Sequence, residues 1–260
     1  MPREMLEKSL IKTAIQEHQN KVIPMNYTLA DKNLIKRFRL DSIKGGSDTS
    51  FYGHIQDFNP ETFLAGLGTN SAADVSRLAR VIQGIARNVC DAYSRKHVRV
   101  SIRVRNKPTD EYDIARWHQD SNFFINPKSI KRQQSNFITI LKGAGTLMID
   151  PHPSREVLDK IKQHKRKLYL EFKEEGDRGE FKNYFAKQNS KEFRKEYDKL
   201  LVGETKKQLA NDEGLVFMVG NDNTALIHSE PPMHEDRIFI KILPGYAYEI
   251  QELQERFNRF

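Results

Sequence analysis

The chain has 260 residues, enough for a sizeable hydrophobic core in one large domain or two modest ones. With 38% hydrophobic and 30% charged residues it is excluded from the disordered class, and no apolar stretch approaches the length of a membrane-spanning helix. Its single cysteine, Cys90, excludes an intrachain disulfide framework and any Cys-rich zinc or iron–sulfur site. Together with a charged N-terminus that carries no apolar leader, this predicts a cytoplasmic protein, although a periplasmic one can also lack disulfides.

The formal net charge of +8 is unevenly spread: residues 1–110 and 154–199 are basic, while residues 200–260 are acidic. A basic face could attract nucleic acid by long-range steering, but no zinc finger, helix-turn-helix or aromatic RNA-binding motif accompanies it.

In chain order, Leu6, Leu10, Ile11, Ala14 and Ile15 predict an amphipathic helix over residues 4–19. Residues 44–48, rich in Gly and charge, predict a loop. A second helix is predicted over residues 71–95, where Val75, Leu78, Ala79, Ile82, Ile85, Ala86 and Val89 repeat near 3.6 residues behind an N-cap at Ser71. The pattern then becomes strand-like. Val98, Val100, Ile102 and Val104 alternate with Arg99, Ser101, Arg103 and Arg105, predicting a half-buried strand with a basic opposite face. Further strands are predicted at residues 137–141, 146–149, 216–219, 224–227 and 238–243, and the alternation of Leu168, Leu170 and Phe172 suggests another. Residues 151–209 are charged and aromatic, and predict an insertion or lid.

Helices first and many short strands afterwards argue against a doubly wound sheet. They predict a mainly β domain spanning residues 1–260: mostly helical support at 1–96, a double-sheet jelly-roll core at 97–150 and 210–245, and a C-terminal helix or tail at 246–260.

Within that frame, His118 and Asp120 stand two residues apart, so an extended segment projects both to one side. His228 follows an apolar run, and Arg237 opens the last strong strand nine residues later. Two histidines and one carboxylate leave open positions on a non-haem iron, and a guanidinium suits a carboxylate co-substrate.

This order of His-x-Asp, distal His and Arg resembles the iron(II)/2-oxoglutarate dioxygenase superfamily, across roughly residues 97–245. The resemblance implies a double-stranded β-helix (cupin-like jelly roll), with iron(II) held by His118, Asp120 and His228 and 2-oxoglutarate anchored by Arg237. It implies that dioxygen is consumed, succinate and carbon dioxide are released, and a substrate is hydroxylated, or demethylated through hydroxylation. Asp120 fills the position that halogenases of this superfamily leave to Gly or Ala. Thr139 is a candidate co-substrate contact, and Arg103 and Arg105 are candidates for contacting the co-substrate or an anionic substrate, with plain surface charge as the other reading. Asn122, Phe123 and Phe124 are candidates for the substrate entrance, and Trp117 for packing behind the ligand segment. His234 is an alternative third ligand, disfavoured because it leaves only three residues before Arg237, and His152 reads as a turn residue.

The primary substrate (small molecule, protein or nucleic acid) and the oligomeric state stay open. Three other readings stand beside this one: a cupin-like metalloenzyme without 2-oxoglutarate, a nucleic-acid- or protein-binding chain on a degenerate oxygenase fold, and a zinc hydrolase using Glu230 or Glu235 as base.

Overall fold

Two periodicities build the architecture, 3.6 in the N-terminal helices and 2 in the strands that follow. The computed structural model describes residues 6–106, 114–174, 190–220, 223–231 and 235–258. Its elements in chain order are α1 (Lys8–Gln16), β1 (Lys21–Pro24), α2 (Leu29–Arg37), β2 (Gly46–His54), α3 (Glu61–Ala65), α4 (Ala72–Ala92) and β3 (His97–Arg105). They continue with β4 (Gln134–Lys142), β5 (Leu147–Ile149), α5 (Arg155–Glu174), α6 (Lys191–Leu200), β6 (Lys206–Gln208), β7 (Glu213–Val219), β8 (His228–Ser229), β9 (Arg237–Gly245) and α7 (Ala247–Asn258).

The strands form two antiparallel sheets flanked by helices. The larger has six strands in the order β1-β7-β4-β9-β3-β2, and the smaller has three in the order β6-β5-β8. The segment carrying His118 adds to the small sheet through a bridge to His228.

Each face of the large sheet has its own partner. Val98, Val100, Ile102 and Val104 of β3 and Ile238, Ile240 and Ile242 of β9 pack with Val75, Leu78, Ile82 and Ile85 of α4. The Ser71 hydroxyl caps α4 by accepting from the Asp74 amide, so the helix begins where the sequence predicts. Ile82 and Ile85 are fully buried, each contributing about 2 kcal/mol of apolar burial. On the opposite face Ile138, Ile140, Leu215, Phe217 and Phe239 meet Met148 of β5, Leu209 and Leu226, which joins the two sheets. This second face carries the site.

Three expectations are corrected. The alternation at Leu168, Leu170 and Phe172 lies in α5, where Leu158, Ile161 and Leu168 share a helical stripe and Leu170 stays exposed. The stretch 224–227 is not a strand: a turn at Asn223–Thr224 leads into the buried residues Ala225, Leu226 and Ile227. The loop expected at 44–48 ends at Gly46, where β2 begins pairing with β3. Residues 1–96 are mostly helical, as expected, and also supply β1 and β2, the two outer strands of the large sheet.

In the 151–209 region, Leu158, Ile161 and Leu168 of α5 and Phe193 and Tyr197 of α6 pack against Trp117, Ile149 and Ile227. They brace the small sheet from behind. Phe181, Tyr184 and Phe185 lie outside the described residues.

Candidate metal centre

His118 and His228 form an antiparallel bridge in which each backbone amide donates to the other's carbonyl, both at 2.9 Å. Directly opposed residues put their side chains on the same side, and the two imidazole centroids are 4.3 Å apart. Asp120, two residues on, returns to that side with Oδ1 at 3.7 Å from His118 Nε2. Its backbone carbonyl accepts from the Gly220 amide at 2.9 Å. Gly220 has φ +84°, and a Cβ there would strike the Asn122 side chain. One ligand atom from each of His118, Asp120 and His228 lies within 4.8 Å of the others.

Both rings have a fixed tautomer. His118 Nδ1 donates to the Arg116 carbonyl at 2.8 Å, and His228 Nδ1 donates to the Leu226 carbonyl at 3.1 Å. A carbonyl only accepts, so Nδ1 carries the proton and each Nε2 presents its lone pair. Burial, and then the neighbouring His228 ring, pushes His118 down to about 3. Burial likewise lowers His228. For Asp120, burial favours the neutral acid, but the Lys241 ammonium and the two histidines outweigh it and hold the carboxyl well below its ordinary range. Two neutral imidazoles and a carboxylate are the protonation states a divalent metal requires. Three N and O donors on one side fit iron(II) and leave positions open for other ligands.

The carboxylate is oriented as well as charged. Lys241 Nζ is 2.6 Å from Asp120 Oδ2, so the oxygen nearer His118 is the one left for a metal. The Lys241 ammonium also lies 4.3 Å from the Phe123 ring centroid. Sequence reasoning did not single out Lys241, although period two puts it on the same face of β9 as Arg237. Phe217 supports the second histidine, its ring 4.7 Å from that of His228.

Arg237 is 4% exposed. Its Nε donates to the Ala144 carbonyl at 3.0 Å and its Nη2 to the Thr146 hydroxyl at 3.4 Å. Burial pushes it down to about 10, with Glu230 opposing. Among the described residues no carboxylate forms a direct ion pair with it; Glu230, which pairs with Arg103, acts on it only through space. That environment suits one carboxylate of a dicarboxylic co-substrate.

The other expected residues divide. Thr139 is corrected: it points with Phe137 and Leu141 to the helix side of β4, and its hydroxyl donates to the Glu213 carbonyl at 2.9 Å. Arg103 is on the site face but pairs with Glu230 at 3.3 Å, and Arg105 pairs with Asp48. Glu230 pairs with Arg103 and Glu235 is exposed; neither belongs to the metal cluster. Trp117 packs behind the ligand segment, its Nε1 donating to Asp198 at 2.8 Å. Phe124 is buried against Leu243 and Ile250. His152 is not in the metal cluster, and His234 lies outside the described residues.

No family model matches the chain, and no curated protein does. Solved structures similar to it include the 2-oxoglutarate binary complex of dioxygenase for auxin oxidation 1 from Arabidopsis thaliana, 8% identical, with 91% of this chain and 86% of that one covered and a TM-score of 0.40. A prolyl-4-hydroxylase from Pseudomonas putida is 10% identical, with 92% and 99% covered and a TM-score of 0.40. The dioxygenase for auxin oxidation in rice is 9% identical, with 91% and 76% covered and a TM-score of 0.39. These likenesses are too remote to transmit an activity, and the site's geometry has to carry the functional reading. Among the described residues, no helix is long and apolar enough to cross a membrane.

Proposed function

We propose that the chain is an iron(II)- and 2-oxoglutarate-dependent oxygenase, built as a double-stranded β-helix, that hydroxylates a substrate or demethylates it through hydroxylation. The observation that carries this reading is the convergence of His118, Asp120 and His228, with both imidazole tautomers fixed so that each Nε2 is free to bind metal. The buried Arg237, nine residues beyond His228 and without a carboxylate partner among the described residues, extends the reading from metal binding to 2-oxoglutarate. Iron and 2-oxoglutarate together would supply the oxidising power, with dioxygen consumed and succinate and carbon dioxide released. A cytoplasmic setting is part of the proposal, supported by a lone cysteine, Cys90, that is buried.

The chain's own residues have separable roles in this chemistry. His118 and His228 would bind the metal through Nε2 and Asp120 through one oxygen, while Lys241 keeps the other oxygen turned away. Arg237, fixed by Ala144 and Thr146, would hold the distal carboxylate of 2-oxoglutarate. Phe217, Phe239 and Met148 form an apolar wall that excludes water from the buried side.

The test is anaerobic titration with iron(II) and 2-oxoglutarate, watched for the weak visible charge-transfer band of the ternary complex. The band is expected in the native protein and absent from His118→Ala and Asp120→Ala. Arg237→Gln should weaken 2-oxoglutarate by about tenfold or more while iron(II) affinity stays within about twofold. No band in the native protein, or a band unchanged by the ligand substitutions, would refute the assignment.

A further inference from the structure

The site face of β3 and β9 carries more positive charge than its acids offset. Its cations are Arg99, Arg103 and Arg105 on β3, with Arg237 and Lys241 on β9. Three of them are paired: Arg105 with Asp48, Arg103 with Glu230 and Lys241 with Asp120. Among the described residues, Arg237 and Arg99 have no carboxylate partner. Arg237 is accounted for by the proposed co-substrate; Arg99 is not.

The register places Arg99 relative to the metal ligands. Successive pairs between β3 and β9 on this face are Arg105 with Arg237, Arg103 with Phe239, Ser101 with Lys241, and Arg99 with Leu243. Each step of two residues advances roughly 6.6 Å along the strands. Lys241 marks the level of Asp120, which it contacts. Arg237 is therefore two steps from that level in one direction, and Arg99 is one step from it in the other. The two unpaired guanidinium groups bracket the metal ligands along the sheet.

Packing around Arg99 holds the side chain without neutralising it. Its Cζ lies 4.2 Å from the Phe257 ring centroid and 5.3 Å from that of Tyr52. Aromatic faces attract a cation but bring no negative charge. Its Nε is buried with no hydrogen-bond partner. A half-buried guanidinium gripped by two rings and lacking an anion is poised to receive one.

We propose that Arg99 binds the anionic group, a carboxylate or a phosphate, of a small-molecule primary substrate, on the far side of the metal ligands from Arg237. The assignment of that anion as substrate rests on the oxygenase reading; the anion site itself does not. A small molecule is favoured over a nucleic acid because Arg103, Arg105 and Lys241 on this face are paired with carboxylates, which leaves Arg99 with only Arg256 near it, whereas a phosphate backbone would need a longer run of free cations. Co-substrate and substrate would then approach the metal from opposite ends of one sheet face.

The test uses metal-free protein at low ionic strength, titrated calorimetrically with phenylacetate, phenyl phosphate and the neutral phenylacetamide. At least one anion should bind about tenfold or more tightly than the amide, and the tighter of the two names the anion class. Arg99→Gln should abolish that preference, Arg99→Lys should keep part of it, and Arg237→Gln should keep it whole. Thermal unfolding of each variant checks folding, and Arg99→Lys carries the test if Arg99→Gln does not fold. No preference over the amide, a preference unchanged in both Arg99 variants, one lost only with Arg237, or tighter binding of a single-stranded oligonucleotide would each overturn the proposal. Failure of the oxygenase reading is distinguishable: it removes the iron and 2-oxoglutarate band while Arg99-dependent anion binding persists. A retained band without such binding removes this proposal alone.

Discussion

Replacing Lys241 with methionine tests whether the ion pair beneath the metal centre holds the site together. Lys241 Nζ and Asp120 Oδ2 are 2.6 Å apart, and their side chains are 17% and 16% exposed. Removing one partner of a buried pair leaves an uncompensated charge and costs about 3–5 kcal/mol; residual water access places this case near the lower end, at ~3 kcal/mol. For a chain of this size each kcal/mol lowers Tm by about 2–4 °C, so metal-free Lys241→Met should melt roughly 6–12 °C below the native protein. Asp120→Asn strands the ammonium instead and should cost about 2–3 kcal/mol. The double variant carries neither charge, and methionine can still pack on Phe123, so it should fall within about 1 kcal/mol of native stability. Denaturant unfolding of the four metal-free proteins, run as a double-mutant cycle, measures the coupling. Losses that simply add, to about 5–6 kcal/mol in the double variant, would refute the assignment of Lys241 as the counter-charge of Asp120.

Acid should destabilise the metal-free protein before its surface carboxylates titrate. The folded pKa of His118 is about 3 against 6.5 for a free imidazole, so the unfolded chain takes up a proton first and stability falls as pH drops below about 6.5. From about pH 6.5 to pH 5 this amounts to ~2 kcal/mol for a fully buried ring; the His118 side chain is 33% exposed, and solvent screening brings it to ~1 kcal/mol. His228 is shifted the same way and adds to the loss. Denaturant unfolding should show this slope and His118→Asn should reduce it, whereas equal stability at both pH values would contradict the burial argument. Gly220→Ala forces a side chain into left-handed backbone against Asn122, and should cost about 1–3 kcal/mol while disturbing the amide that holds the Asp120 carbonyl. Unfolding and iron(II) titration should both register the change; native values in both would refute a role for this turn.

The strands and the ligand triad were legible in the sequence to different depths. Alternation over residues 98–104 predicts β3 because one of its faces meets α4 and the other is basic. His118 and Asp120 follow from period two alone. His228 needed the spacing to Arg237, because nothing local marks it as the residue opposite His118. Thr139 shows where the reasoning stopped. Alternation puts Thr139 with Phe137 and Leu141, but which face of β4 meets the site depends on its register with β9. Lys241 was missed for a related reason. A lone lysine in an apolar run reads as solvent-facing, and only the sheet order shows that β9 lies in the interior, flanked by β4 and β3. A buried lysine must then find a carboxylate. The alternation in α5 was a local coincidence, which the longer stripe through Leu158, Ile161 and Leu168 overrides.

Contacts within the chain orient every member of the triad. The bridge between His118 and His228 fixes their backbones, and each ring is turned by a carbonyl two residues earlier in its own chain. Lys241 selects which Asp120 oxygen faces the histidines, from a strand central to the sheet. All three ligands are thus oriented by interactions that include no metal, and the unfavourable parts of the arrangement are electrostatic. Two imidazoles at ring distance exclude a second proton, and a buried carboxylate needs a cation. A divalent ion would answer both demands at once, since it would take the lone pairs of the neutral rings and add positive charge beside Asp120. Lys241 then opposes the incoming charge while still orienting the carboxylate. Metal affinity at the proposed centre would therefore depend on how far Lys241 can yield without releasing Asp120, across their 2.6 Å contact.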